Sequence, residues 1–133
     1  MLDSALERGE NGVASTAILS ACEYGEIEGC LSFLSVANMA YTLNKGRTKQ
    51  GMMDILKGYT LYLTILPMDN SQLQQAYAVD APDFEDVLQY ECAKAAGCEL
   101  IVTSNIKHFK FCKDIEVVST IDYAQQFIED ENN

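Results

Sequence analysis

The sequence predicts an α/β fold, a three-layer α/β/α sandwich around a mainly parallel central sheet. Short apolar runs alternate with longer segments in which apolar residues recur at helical spacing. Helices that alternate with short buried strands are typical of a parallel sheet covered on both faces. With 133 residues, of which 48% are hydrophobic, and no change of composition between its halves, the chain fits a single domain over residues 1–133.

Glycines and a proline divide the first half of the chain. Five elements are predicted there, in the order helix, strand, helix, helix, strand: residues 14–24, 29–32, 33–43, 49–61 and 63–66. Gly25 ends the first helix, and the second ends before Gly46. Thr48 caps the third helix, and Pro67 closes an apolar run short enough for a buried strand. Aromatic residues at helical spacing are expected in the core: Phe33, Tyr41, Tyr59 and Tyr62.

Capping residues mark the second half in the same way. Five further elements are predicted, in the order helix, helix, strand, strand, helix: residues 71–78, 84–96, 100–102, 115–118 and 120–128. Asn70 or Ser71 caps the first of these helices, and Asp83 caps the second. Ser119 or Thr120 caps the last helix. In such a sheet the ligand site lies outside the carboxyl ends of the strands.

Composition argues against several classes of protein. The net charge of −11 argues against a nucleic-acid-binding protein that contacts phosphates over a wide surface. Basic residues are nevertheless concentrated in two short patches, at 45–49 and 107–113. There is no run of about eighteen apolar residues and no cleavable leader, so the protein is expected to be cytoplasmic and outside the membrane. The five cysteines, an odd number at irregular spacing, are expected to be reduced and mostly buried.

Residues 83–109 carry the most informative pattern. Asp83 and Asp86 lie one helical turn apart, so both can face one cavity, and the strand predicted downstream ends in small polar residues. The pattern resembles the distal half of PIN domains, the fold of many toxin-type, VapC-like ribonucleases. The resemblance extends to three earlier segments: residues 2–10, 29–32 and 41–45. It implies hydrolysis of RNA phosphodiester bonds with Mg²⁺ or Mn²⁺ held by converging carboxylates.

The resemblance also assigns residues to this chemistry. Asp86 aligns with the family's helix acid, and Asp83 is its neighbour, so these two are the predicted metal ligands. Asn38 and Asn105 fall where many members have acids and are predicted to be polar occupants of the catalytic site. The predicted RNA contacts are Lys45, Lys107, Lys110 and Ser104. His108, the sole histidine, has no Cys or Asp pattern beside it and is expected to be a surface or loop residue.

A first strand is the part of the family pattern that this sequence lacks. Family members open with a strand that carries an Asp and, two residues later, an Asn, and Asp3 lies past the position of that strand. Because the strand belongs in the middle of the sheet, two others should face a gap with unpaired backbone groups. A site with fewer acids is expected to bind metal weakly and to have little or no nuclease activity.

Partners and alternatives follow from the same resemblance. It implies RNA as a substrate, a cognate antitoxin protein as a partner, and a homodimer, which exposed strand edges would favour. A second interpretation is a catalytically degenerate PIN-like module that binds RNA or protein and no metal at Asp86. A third, an unrelated doubly wound domain, is disfavoured because no glycine-rich loop follows a strand.

Overall fold

The computed structural model describes residues 9–131, with side chains from 13 to 128, and confirms an α/β fold with parallel strands. Asp3 and the other residues before 9 lie outside the described part. The helices there are α1 (Gly9–Glu23), α2 (Phe33–Leu43), α3 (Lys49–Thr60), α4 (Asn70–Tyr77), α5 (Phe84–Ala95) and α6 (Thr120–Glu131). The strands are β1 (Gly29–Ser32), β2 (Leu63–Leu66), β3 (Leu100–Thr103) and β4 (Glu116–Ser119), and a 3₁₀-helix (Ile106–Phe109) follows β3.

The strands form two separate parallel pairs. In the first pair, β1 runs beside β2 with Leu31 opposite Ile65, and in the second β3 runs beside β4 with Ile101 opposite Val117. Within residues 9–131 no strand ladder joins the two pairs. Over this described range the expected central sheet is therefore divided, and each pair has edges without a strand partner there.

Each strand pair has its own apolar core. The first core is built around Leu31, Met39 and Leu43, and the second around Tyr90, Ala93 and Ile115. The first helix, α1, packs against the last, α6, so the two ends of the described chain are joined. No helix among the described residues combines the length and the apolar composition needed to cross a bilayer.

The aromatic residues expected in the core are only partly there. Tyr59 packs against the first core, whereas Phe33, Tyr41 and Tyr62 are exposed, so the prediction is wrong for these three. For Phe33 and Tyr41 the reason is that α2 buries a single stripe through Met39 and Leu43. Tyr41 lies on the opposite face of that helix, because each residue advances the helix by about 100°. Tyr62 lies between α3 and β2 and belongs to neither.

One helix cap differs from the prediction. Asp69, and neither Asn70 nor Ser71, caps α4: its carboxylate accepts from the backbone N–H of Ser71 at 2.8 Å. The side chain of Gln72 accepts in return from the backbone N–H of Asp69 at 2.7 Å. This reciprocal capping box satisfies two N–H groups that a lone cap would leave to water. Asp83 caps α5 as predicted.

Candidate functional site

The candidate site lies where the first turn of α5 meets the 3₁₀-helix that follows β3. Asp83 is fixed there by its role as cap, since its Oδ1 accepts from the backbone N–H of Glu85 at 2.9 Å and of Asp86 at 3.4 Å. The side chain of Asp86 is 18% exposed. Both predicted metal ligands therefore stand at one end of one helix, close to the carboxyl end of β3, as expected of a site at that edge of a parallel sheet.

A histidine completes this cluster. The Nδ1 atom of His108 lies 3.4 Å from Oδ2 of Asp86. One possible ligand atom from each of Asp83, Asp86 and His108 lies within 4.8 Å of the other two. His108 is at the surface, with 55% of its side chain exposed, but it belongs to the 3₁₀-helix and touches the predicted site. The sequence interpretation had not placed it there.

The 3₁₀-helix holds His108 in this position. The backbone N–H of His108 donates to the carbonyl of Asn105 at 3.0 Å, which closes one turn of the helix. The next residue, Phe109, is buried, and its ring stacks on Phe111 with 6.0 Å between ring centres. A buried neighbour anchors the short helix, so the imidazole is presented from a supported turn.

The charges of the cluster suit a cation. Burial and then the carboxylate of Asp83 raise the pKa of Asp86, and Glu85 adds to this, while His108 acts in the opposite direction. The Oδ2 atom of Asp86 is buried and has no hydrogen-bond partner among the described residues. A buried carboxylate oxygen without a donor, beside another carboxylate and an imidazole, is a donor set that accepts a divalent metal ion. The residues present therefore fit such an ion.

A nearby thiol does not extend the ligand set. Burial, together with the negative charges of Asp86 and Glu91, raises the pKa of Cys112 to about 11. Among the described residues, its sulfur does not belong to the group of possible ligand atoms that lie within 4.8 Å of one another. All five cysteines are free, and only Cys22 and Cys92 are fully buried.

The two asparagines make different contacts in the structure. Asn38 on α2 donates through its side-chain amide to the carboxylate of Glu85, which the sequence interpretation had not singled out. This bond ties α2 to the first turn of α5. Asn105 lies just before the 3₁₀-helix, where its backbone N–H donates to Thr103 Oγ1 at 3.0 Å. Its contribution to the site within the described residues is the carbonyl that holds His108.

The predicted RNA contacts also fall in two places. Lys107 and Lys110 are exposed and flank His108 in the sequence, so both lie on the segment that carries this metal-binding candidate. Lys45 follows the far end of α2, with Nζ 4.8 Å from the centre of the Tyr41 ring. Along α2, Asn38 and the last helical residue, Leu43, are about 7.5 Å apart at the helical rise of about 1.5 Å per residue, and Lys45 lies beyond that end. The hydroxyl of Ser104 lies 3.3 Å from that of Thr120 at the start of α6.

Comparison with known proteins identifies the kind of domain. The family model described as "PIN domain" matches residues 1–107, one residue short of His108. The chain is 33% identical over 97 residues to Ribonuclease VapC1 of Aquifex aeolicus (strain VF5), and the alignment covers 69% of this chain. It covers 65% of that relative, so the chain spans slightly less than two thirds of the relative's length.

A solved structure has a similar fold. It is the crystal structure of DNA-bound VapBC from Salmonella typhimurium, with a TM-score of 0.56. The superposition covers 68% of this chain and 74% of the other, at 18% sequence identity. At that identity the likeness supports the arrangement of helices and strands, and the chemistry has to be argued from the residues themselves.

Proposed function

We propose, since this chain belongs to the PIN domain family, that it binds a divalent metal ion at Asp83 and Asp86 and hydrolyses RNA as an endoribonuclease. The observation that carries the proposal is the convergence of ligand atoms from Asp83, Asp86 and His108 within 4.8 Å of one another. The ribonuclease relative supports RNA as the substrate class. An antitoxin partner, a homodimer and a cytoplasmic location belong to the same proposal.

The residues of the site would have different roles in the reaction. Asp83 and Asp86 would hold Mg²⁺ or Mn²⁺, and such an ion supplies an activated water and neutralises negative charge on the phosphate. Lys107 and Lys110 would contact the RNA backbone beside the ion, because they are exposed cations on an otherwise acidic protein. Asn38 would hold the first turn of α5 in place through its hydrogen bond to Glu85.

The asparagines at positions 38 and 105 lead us to expect slow RNA cleavage. Asn38 and Asn105 are neutral at positions where an acid would add charge, and ligand charge sets much of the affinity for a hard cation. Metal binding and cleavage are therefore expected to be weak. The catalytically degenerate alternative, a module that binds RNA or protein without metal, is favoured by the same two residues.

A cleavage assay tests the proposal. A fluorescently labelled structured RNA, incubated with enzyme in excess, is expected to be cut slowly in Mn²⁺ or Mg²⁺ and to stay intact in EDTA. Attack by water leaves no 2′,3′-cyclic phosphate, so the product ends distinguish this activity from a contaminating metal-independent ribonuclease.

The double variant Lys107→Ala/Lys110→Ala should bind RNA more weakly than Lys57→Ala, a control that removes an exposed lysine from α3. In the cleavage assay, RNA that stays intact with the wild-type protein in Mn²⁺ would contradict the proposed ribonuclease activity and favour the degenerate module.

A further inference from the structure

The geometry points to His108 as a third ligand of the metal ion, supplying an imidazole nitrogen beside the carboxylates of Asp83 and Asp86. This inference rests on the proposed function, because it concerns the same ion. It goes further in naming a nitrogen donor, and therefore in naming the class of cation that the site prefers.

The spacing of His108 and Asp86 is the first argument. Metal–nitrogen and metal–oxygen bonds are about 2.0–2.2 Å long, so two adjacent ligand atoms of one ion lie about 3.0–3.5 Å apart. The 3.4 Å between Nδ1 of His108 and Oδ2 of Asp86 falls within this interval. The same Oδ2 is buried, and its contact with the imidazole is an ion-pair contact that lacks the geometry of a hydrogen bond. A shared cation would satisfy both atoms.

The support of the ring is the second argument. A ligand that is already positioned loses little conformational entropy when the ion binds. His108 is held through the backbone bond to Asn105 and through burial of its neighbour Phe109. Asp83 is held as well, because its carboxylate caps α5. The third ligand, Asp86, lies in the first turn of the same helix.

The nature of the donor selects the cation. Mg²⁺ favours oxygen ligands and keeps much of its water, whereas imidazole nitrogen is a common ligand of first-row transition ions. A site with two carboxylates and one imidazole should therefore bind Mn²⁺ and Co²⁺ more tightly than Mg²⁺. Removal of the imidazole should reduce this preference, because only oxygen donors would remain.

Pulsed EPR of bound Mn²⁺ tests this inference without relying on activity. His108 is the only histidine of the chain, so protein labelled with ¹⁵N-histidine and free of any histidine tag carries the label at one position. The spectrum is expected to show coupling between the electron spin of Mn²⁺ and ¹⁵N. His108→Ala should lose the coupling and bind Mn²⁺ at least about tenfold more weakly, as expected for the loss of a ligand-shell group. Ile106→Ala, an exposed change in the same 3₁₀-helix, should keep both.

The outcomes separate this inference from the proposed function. Mn²⁺ bound without ¹⁵N coupling, and with equal affinity in His108→Ala, would overturn the role of His108 and leave the two carboxylates as the site. Absence of Mn²⁺ binding to the wild type would overturn both. Competition by Mg²⁺ gives a second readout: Mg²⁺ should displace Mn²⁺ at a lower excess from His108→Ala than from the wild type, and an unchanged excess would contradict the inference.

Discussion

Replacement of Asp86 by Asn is expected to reduce Mn²⁺-dependent RNA cleavage by about a hundredfold or more, since loss of even an outer-shell partner of a metal commonly costs 10–100-fold. Asp86 is the member of the cluster whose carboxylate is affected by burial, by the carboxylate of Asp83 and by the imidazole of His108. The side chain of Asn has the same shape as that of Asp but carries no charge, so a hard cation would be held more weakly. The measurement is the single-turnover rate with enzyme in excess over labelled RNA.

The same substitution should leave the fold at least as stable, so that lost cleavage cannot be ascribed to unfolding. Burial and Asp83 raise the pKa of Asp86 above its ordinary 3.8, so the folded state disfavours the ionised form. For a carboxyl whose pKa rises on folding, stability is lost as the pH increases through the folded-state pKa. Asn does not titrate, so in EDTA at pH 7.5 the variant should melt at or above the wild-type temperature. This advantage should shrink as the pH falls below that pKa.

The control for Asp86→Asn is Asp122→Asn. Asp122 is an exposed acid in the first turn of α6, and its change removes the same charge from the start of a different helix. Cleavage by this control should equal that of the wild type. Equal losses in the two variants would show that net charge, rather than a ligand at residue 86, determines the rate.

Gly29→Ala is expected to destabilise the protein by about 1–3 kcal/mol, the usual cost of forcing an extra methyl group into a packed interior. A Cβ at this position would lie 2.5 Å from Sγ of Cys22 and 2.7 Å from Cδ2 of Leu63. Gly29 opens β1 opposite Leu63, and Cys22 is buried in α1, so the added atom would press on two elements at once. Thermal or urea unfolding measures the effect.

Gly58→Ala provides the matched comparison. Gly58 lies within α3, and a Cβ there would have no atom within 4 Å of it apart from its own helix. Alanine is a better helix former than glycine, so this variant should gain up to about 1 kcal/mol. Wild-type stability in Gly29→Ala would mean that α1, β1 and β2 are packed less closely than the structure has them.

Local signals explain why most element boundaries could be predicted. The second helix and the second strand occupy the residues expected, 33–43 and 63–66, because Ser32 caps the helix and Pro67 ends the strand. The 3₁₀-helix at Ile106–Phe109 escaped prediction, since a four-residue turn is too short for any periodicity of apolar residues. The position of His108 depends on that turn and therefore could not be inferred.

The candidate site was likewise only partly predictable from the sequence. Asp83 and Asp86 could be paired from the sequence because their spacing places them on one turn of one helix. The bond between Asn38 and Glu85 joins residues 47 positions apart, and no local rule predicts it. The exposure of Tyr41 also depends on which stripe of α2 the strands cover, and this is set by packing with β1 and α3.

The most direct test of a metal ion at the start of α5 is a titration of ¹⁵N-labelled protein with Mn²⁺, followed by backbone amide spectra. Paramagnetic broadening falls steeply with distance, so the amides that disappear first locate the ion. Residues 83–86 and 106–109 should broaden first, at substoichiometric Mn²⁺, and Asp86→Asn should abolish this. Broadening centred on another acidic segment, such as residues 23–28 with Glu23, Glu26 and Glu28, would contradict a metal site at Asp83 and Asp86.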